Sequence, residues 1–329
     1  MTLQRRTLLA AAAAASATPI AWAQKSASMA AWPTRPVRLF VGFPAGSTPD
    51  LVARTIADPL SKALGQPVVV ENHPGAAGNI ATDQVVRSTD NHTIGIMING
   101  NMTIAKLLNP ATPFDPAKDL APISLIGTAP LLLTASNSTP GHTAQEFFLA
   151  ARNAGNKWSY GSPGVGTVGH IGMELLKTKT QIDPVHVPYP GNPQVITAMI
   201  AGQIQLALLP PGLASQSIRA GKLKAIGVTS HGRSPLVPEY PSLDEQGVTR
   251  GFELEIWTAA AGPASMPKPI VNRLSTLIAE IARRPEVRQQ LFIQGWQVAG
   301  TSPEGLANRM KQDTALLGGI IQMRGITTR

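Results

Sequence analysis

The chain has 329 residues, 28 basic and 19 acidic side chains, a net charge of +9 and no cysteine. The absence of cysteine excludes disulfides, thiolate nucleophiles and cysteine-based metal sites. Aromatics make up only 5% and no basic stripe forms, so nucleic acid is not an expected partner; the spread charge suits solubility and a mild attraction for anions.

The chain opens on an export signal. Arg5-Arg6 supply the positive start, Thr7 to Ala17 an apolar stretch, and Ala21-Trp22-Ala23 the small residues of a cleavage site. The apolar stretch falls short of the ~20 residues of a membrane span. Residues 1–23 are therefore read as a cleaved leader, with the mature, periplasmic chain starting at Gln24. The twin arginines loosely resemble a twin-arginine signal, but the residues before Arg5 depart from it. Both the Sec and the Tat route stand open. No later stretch of 18 apolar residues occurs, so the mature protein is expected to be soluble.

Strand and helix patterns then alternate. Val37–Val41 predicts a buried strand, and Asp50 to Ala63 a helix with Leu51, Val52, Ile56 and Leu60 on one face. Strands follow at Pro67–Glu71 and Thr93–Ile98, around a short helix from Asn79 to Arg87. Pro122–Ile126 and Leu131–Ala135 read as extended. A second set begins near Thr143, with strands at Trp158–Tyr160, Val185–Val187, Gln205–Leu209 and Leu223–Thr229. Its helices are expected at 143–153, 167–178, 193–201 and 214–220. Glu253–Ala261 reads as a long extended segment returning to the first set. The C-terminal part is helical, with Pro285 at a helix start and Ser302 as an N-cap. Alternating elements argue for parallel sheets. Two sets with a late return segment give two α/β lobes, residues 32–132 with 256–329 and residues 133–255, each a mostly parallel sheet flanked by helices.

Two strand-to-helix loops stand out: Phe43-Pro44-Ala45-Gly46-Ser47-Thr48-Pro49-Asp50, and Ser162 to His170 with Gly164, Gly166 and Thr167. Ligands of open α/β sheets bind at the carboxyl ends of strands, where such loops lie. Helix N-termini offer unpaired N–H groups, and glycine permits close approach, so each loop suits an oxyanion such as a carboxylate. Each could equally be a tight turn before a capped helix. Asn99-Gly100-Asn101-Met102-Thr103 follows a third strand, and Asn101 and Thr103 are candidates for the same cleft. Gly164-x-Gly166-x-x-Gly169 matches the dinucleotide fingerprint, but Asp183 precedes its strand instead of ending it, so no nucleotide cofactor is expected. No G-x-S-x-G or H-E-x-x-H occurs, and the six histidines show no metal-ligand spacing. Ser47, Asp50, Ser162 and His170 lack an orienting third group, so neither a metal nor an enzyme is expected.

The ordered motifs resemble the substrate-binding proteins of tripartite tricarboxylate transporters, often called the Bug family. They run from Trp32-Pro33-Thr34-Arg35-Pro36-Val37-Arg38 through Val41–Gly46 and Thr48-Pro49-Asp50. Gln66–Asn72, Pro74–Ile80, Tyr160-Gly161-Ser162, His186-Val187-Pro188-Tyr189-x-Gly191, Ala201-Gly202-Gln203, Ala220–Leu223 and Arg233-Ser234-Pro235 follow. The resemblance implies a periplasmic Venus-flytrap fold of type II kind, monomeric, and without a cofactor. It implies that a small organic carboxylate (a dicarboxylate, tricarboxylate, acidic amino acid or aromatic acid) is held by the two loops through backbone N–H groups, then delivered to a membrane permease. A membrane sensor is the alternative recipient. Tyr189 and Gly191 join the expected site on the same ground. Two departures matter. Ser47 stands where the family usually has a second glycine, and a φ above zero there would strain serine. Leu209 stands where the family often has an Asp facing the cleft, so a ligand without an amine is expected.

Overall fold

The computed structural model describes residues 32–141 and 143–327; the leader lies outside them. The strands are β1 (Val37–Val41), β2 (Val68–Asn72), β3 (Thr93–Ile98), β4 (Leu120–Pro130), β5 (Leu132–Ser136), β6 (Ser159–Ser162), β7 (Val185–Pro188), β8 (Leu206–Leu209), β9 (Leu223–Val228), β10 (Glu255–Pro263) and β11 (Gln297–Val298). The helices are α1 (Thr48–Leu64), α2 (Asn79–Val86), α3 (Asn99–Thr103), α4 (Ala105–Leu108), α5 (Pro116–Asp119), α6 (Ala144–Ala154), α7 (Val168–Thr180), α8 (Asn192–Ile200), α9 (Pro211–Arg219), α10 (Lys268–Arg283), α11 (Pro285–Ile293) and α12 (Pro303–Arg324). No helix among the described residues is long and apolar enough to cross a membrane.

Two sheets form, in the orders β11-β4-β10-β3-β1-β2 and β7-β6-β8-β5-β9. Each carries a parallel run of three strands: β2-β1-β3 in one, β7-β6-β8 in the other. The remaining pairs are antiparallel. The sheets are thus mixed, not mostly parallel. The reason is topological: β10 re-enters the first sheet and β5 enters the second against the direction of the βα units.

Each sheet buries apolar side chains against helices. In the first lobe Val52, Ile56 and Leu60 of α1 meet Leu39, Val41 and Ile94, with Leu274, Ile278 and Ile281 of α10 in the same cluster. In the second, Phe147, Ile171, Leu176, Leu206 and Leu208 form one core, and Ala207 and Leu209 face another. That split follows from the two-residue period of a strand.

Two crossings join the lobes, at Leu131 and between β9 and β10. Thr229 staples them. Its hydroxyl accepts from the Leu131 N–H at 2.8 Å and donates to the Leu254 carbonyl at 2.6 Å. Its own N–H donates to the Leu131 carbonyl at 2.8 Å, and its carbonyl accepts from Leu254 at 3.0 Å. α12 touches both lobes: Leu306 and Met310 pack in the first, Leu317, Ile320 and Ile321 in the second.

Candidate ligand-binding cleft

The two glycine loops, read separately from the sequence, have the same geometry. Gly46 and Gly166 sit at φ 78° and 86°, the left-handed region that glycine enters without strain. Ser47 and Thr167 follow as N-caps, extended at φ −72°, ψ 160° and φ −71°, ψ 157°. Ser47 is therefore unstrained, because the positive φ falls on Gly46. In each loop the glycine N–H donates to a buried side chain four residues on, Asp50 Oδ2 at 2.9 Å and His170 Nδ1 at 3.1 Å. The next N–H closes the turn: Ser47 onto the Pro44 carbonyl, Thr167 onto the Gly164 carbonyl.

A serine or threonine N-cap ordinarily accepts from the first turn of its helix. Neither does so here. Thr167 donates its hydroxyl to the Gly164 carbonyl at 2.8 Å, and Ser47 Oγ has no partner among the described residues. The N–H groups of Thr48, Val168 and Gly169 consequently make no hydrogen bond among the described residues. They sit at the N-termini of two long helices, where the dipole favours an anion.

Both helix starts open on one cavity of about 40 Å³ between the lobes, lined by Phe43, Ser47, Thr48, Pro163, Thr167, Val168 and Gly169 together with Ile98, Asn99, Leu131, Asn192, Leu208, Pro210, Ile256 and Trp296. None of these residues is charged. The lobes meet around it: Asn192 Nδ2 approaches Thr48 Oγ1 at 3.4 Å, Gly191 lies against Pro44, and Gly100 against the Gly166 carbonyl.

The structure sorts the residues expected from sequence. Phe43, Ser47, Thr48 and Thr167 line the cavity. Pro44 and Gly191 lie against each other next in sequence to the lining residues Phe43 and Asn192, while Ala45 and Gly46 turn to solvent. Asp50 and His170 stand behind the loops. Burial pushes the Asp50 carboxyl up, but hydrogen bonds from Arg54, Asn72 and Gly46 outweigh it and hold the group below its ordinary value. Gly164 packs on Ala77. Gly166 and Asn101 line a second small cavity beside the first, where Asn101 donates to the Ala77 carbonyl and Asn79 Oδ1, both at 2.8 Å.

Thr103, Tyr189 and Leu209 also stand apart from the main cavity. Thr103 turns its hydroxyl onto the Asn99 carbonyl at 2.6 Å. Tyr189 lines a separate surface depression with Gln194 and Gln203. Leu209 is buried behind β8, because strand alternation sends Leu208 to the cleft. Asn99 belongs to the loop the sequence reading offered for the same cleft, whereas Asn192, Leu208, Pro210 and Trp296, with Ile98, Leu131 and Ile256, are wall residues that it missed. Asn99 had a local signal, since it directly follows β3 at the start of a loop already singled out. Trp296 had none, because it reaches the cleft from the far end of the chain.

Behind the second loop lies a polar stack. Ser162 Oγ, fully buried, contacts His186 Nε2 at 2.7 Å and donates to the Gly164 carbonyl at 3.0 Å or to that imidazole. The His170 and His186 rings stack at 4.1 Å, and Tyr160 stacks on His186 at 4.8 Å. The Tyr160 hydroxyl donates to Glu174 at 2.7 Å, and burial together with that carboxylate pushes its pKa up. Ser162 does not line the cleft, so this serine–histidine contact presents no nucleophile to a guest. Among the described residues no His, Asp and Glu cluster could hold a metal.

The family model for the tripartite tricarboxylate transporter family receptor matches residues 52–326. The UPF0065 protein in the tcbD-tcbE intergenic region of Pseudomonas sp. (strain P51) is 33% identical over 311 residues, covering 94% of this chain and 91% of that protein. R. palustris Rpa4515 with adipate superposes at a TM-score of 0.86 with 30% identity, covering 90% of this chain and 99% of that one. MatC (Rpa3494) from Rhodopseudomonas palustris with bound malate gives 0.83 with 29% identity, covering 88% and 100%. By its loops, its two-lobe fold and these matches, the chain belongs to the tripartite tricarboxylate transporter receptor family.

Proposed function

We propose that the protein is an exported, periplasmic receptor that closes on one small organic carboxylate and delivers it to a tripartite tricarboxylate-type permease. One observation carries the reading. Two helix N-termini, one per lobe, turn unpaired N–H groups toward a single cavity without a charged side chain. A carboxylate there receives donors from both lobes, so its binding favours the closed form. Adipate on Rpa4515 and malate on MatC support the substrate class.

The guest carries no amine. No carboxylate lines the cavity to balance an ammonium charge, and Asp50 behind the first loop is committed to Gly46, Arg54 and Asn72. The body of the guest meets Phe43, Ile98, Leu208 and Ile256, which suits an aliphatic or aromatic chain. The receptor acts as a monomer, with no cofactor and no catalytic step.

A melting-temperature screen against organic acids, followed by calorimetry, tests this. A ligand at 100 times its Kd adds about 2.7 kcal/mol to the folded state, so a fitting acid raises Tm clearly while aspartate and glutamate do not. No shift with any acid would contradict the receptor reading. Tight binding of glutamate would contradict only the exclusion of amines.

A further inference from the structure

Four residues that line the cavity each carry a buried polar atom with no partner among the described residues: Ser47 Oγ, Asn99 Oδ1, Asn192 Oδ1 and Trp296 Nε1. Their residues are 2%, 1%, 8% and 2% exposed. An unpaired polar atom costs roughly 1–3 kcal/mol when buried. Four around one cavity are more than ordinary packing explains. Ser47 belongs to the carboxylate-facing loop. The other three come from distant parts of the chain and line the same cavity, a second set of polar residues around it.

The chemistry of that set is constrained. Asn99 donates its amide nitrogen to the Glu255 carbonyl at 3.1 Å. A carbonyl can only accept, so the amide cannot be reversed and Oδ1 is the free atom. Asn192 meets the Thr48 hydroxyl, which can donate or accept, so its amide turns either its oxygen or its nitrogen to a guest. Trp296 offers a donor only. The wall therefore presents one fixed acceptor, one fixed donor and one amide that can serve as either. A hydroxyl matches it, giving its proton to an asparagine and accepting from the indole. A second carboxylate does not. It can only accept, it would meet the fixed Asn99 oxygen, and no Lys, Arg or His lines the cavity to offset its desolvation.

We propose that Asn99, Asn192 and Trp296 read a hydroxyl on the body of the guest, so that this receptor selects a hydroxylated monocarboxylic acid over a dicarboxylate. This rests on the receptor reading above and narrows its substrate class.

Calorimetry on the mature chain with two matched trios tests it: 4-hydroxybutanoate, butanoate and succinate, then 4-hydroxybenzoate, benzoate and terephthalate. The hydroxy acid of at least one trio binds roughly tenfold or more tighter than its two partners, as expected of a site built to pair a hydroxyl. Trp296→Phe and Asn192→Ala each pull the ratio of hydroxy to parent acid to within about threefold of one. The ratio cancels any general effect on closure, and the Asn192 variant suffices should Trp296→Phe fail to fold. Equal binding of hydroxy and parent acids, or tightest binding of a dicarboxylate, overturns the inference and leaves the carboxylate receptor standing. Binding of none of the six also overturns it, and the wider acid screen then decides whether the receptor reading falls too.

Discussion

His170 holds the second loop only while uncharged, and burial disfavours the charged form of His186 beside it. Nδ1 of His170 accepts the Gly166 N–H, so it must keep its lone pair. Burial pushes His170 down to about 4, with Glu174 opposing and Lys177 assisting. Burial and the neighbouring His170 push His186 down to about 3. Unfolded, both titrate near 6.5. Between these values the unfolded chain binds more protons, so the contribution is full above pH 6.5 and is lost as pH falls toward about 3. Each unit of depression corresponds to about 1.4 kcal/mol. Tm is expected to fall from pH 7 to pH 5, and His170→Asn, whose oxygen can still accept from Gly166, is expected to flatten the slope. An unchanged slope would contradict this. The sequence showed both loops through their glycines. It also held a sharper signal, a glycine followed four residues later by a side-chain acceptor, which sets Asp50 and His170 in equivalent roles.

At the scale of elements, the hinge depends on one hydroxyl. Thr229 is fully buried, and both crossing segments bond to its side chain. Thr229→Val keeps the shape and leaves the Leu131 N–H and the Leu254 carbonyl unpaired, which costs about 1–3 kcal/mol. Urea unfolding is expected to show that loss, with faster hydrogen exchange at Leu131; a change below ~0.5 kcal/mol would contradict it. Helix starts were legible because their signals are local: Ser302 accepts from the Gly305 N–H as an N-cap should, and Pro285 opens α11. The two-residue β11 and the Thr229 staple were not legible, since both depend on partners far away in the chain. α12 combines the two cases. Its existence is local, but its span across both lobes is set by Arg309 pairing with Glu255 toward one end and Arg324 pairing with Glu174 at the other.

For the whole molecule, closure depends on surfaces that fit without side chains. Gly212, in the first turn of α9, lies so close to the Gln294 carbonyl that a Cβ would overlap it. Gly212→Ala is expected to hold the lobes apart. Each lobe keeps its own core, so the unliganded Tm stays close to the parent's, while acid affinity drops by roughly tenfold. Small-angle scattering is expected to show less compaction with ligand than in the parent; equal compaction and affinity would contradict the seam. No sequence pattern distinguishes a seam glycine from a turn glycine, because the difference lies in what the opposite lobe presents.

The central claim is that amides from both helix starts converge on one carboxylate. A crystal structure with the tightest-binding acid tests it most directly. The account predicts one carboxylate within about 3.2 Å, or one bridging water, of N–H groups in both Ser47–Thr48 and Thr167–Gly169. An acid held by one lobe alone, or seated outside the cavity, would contradict it.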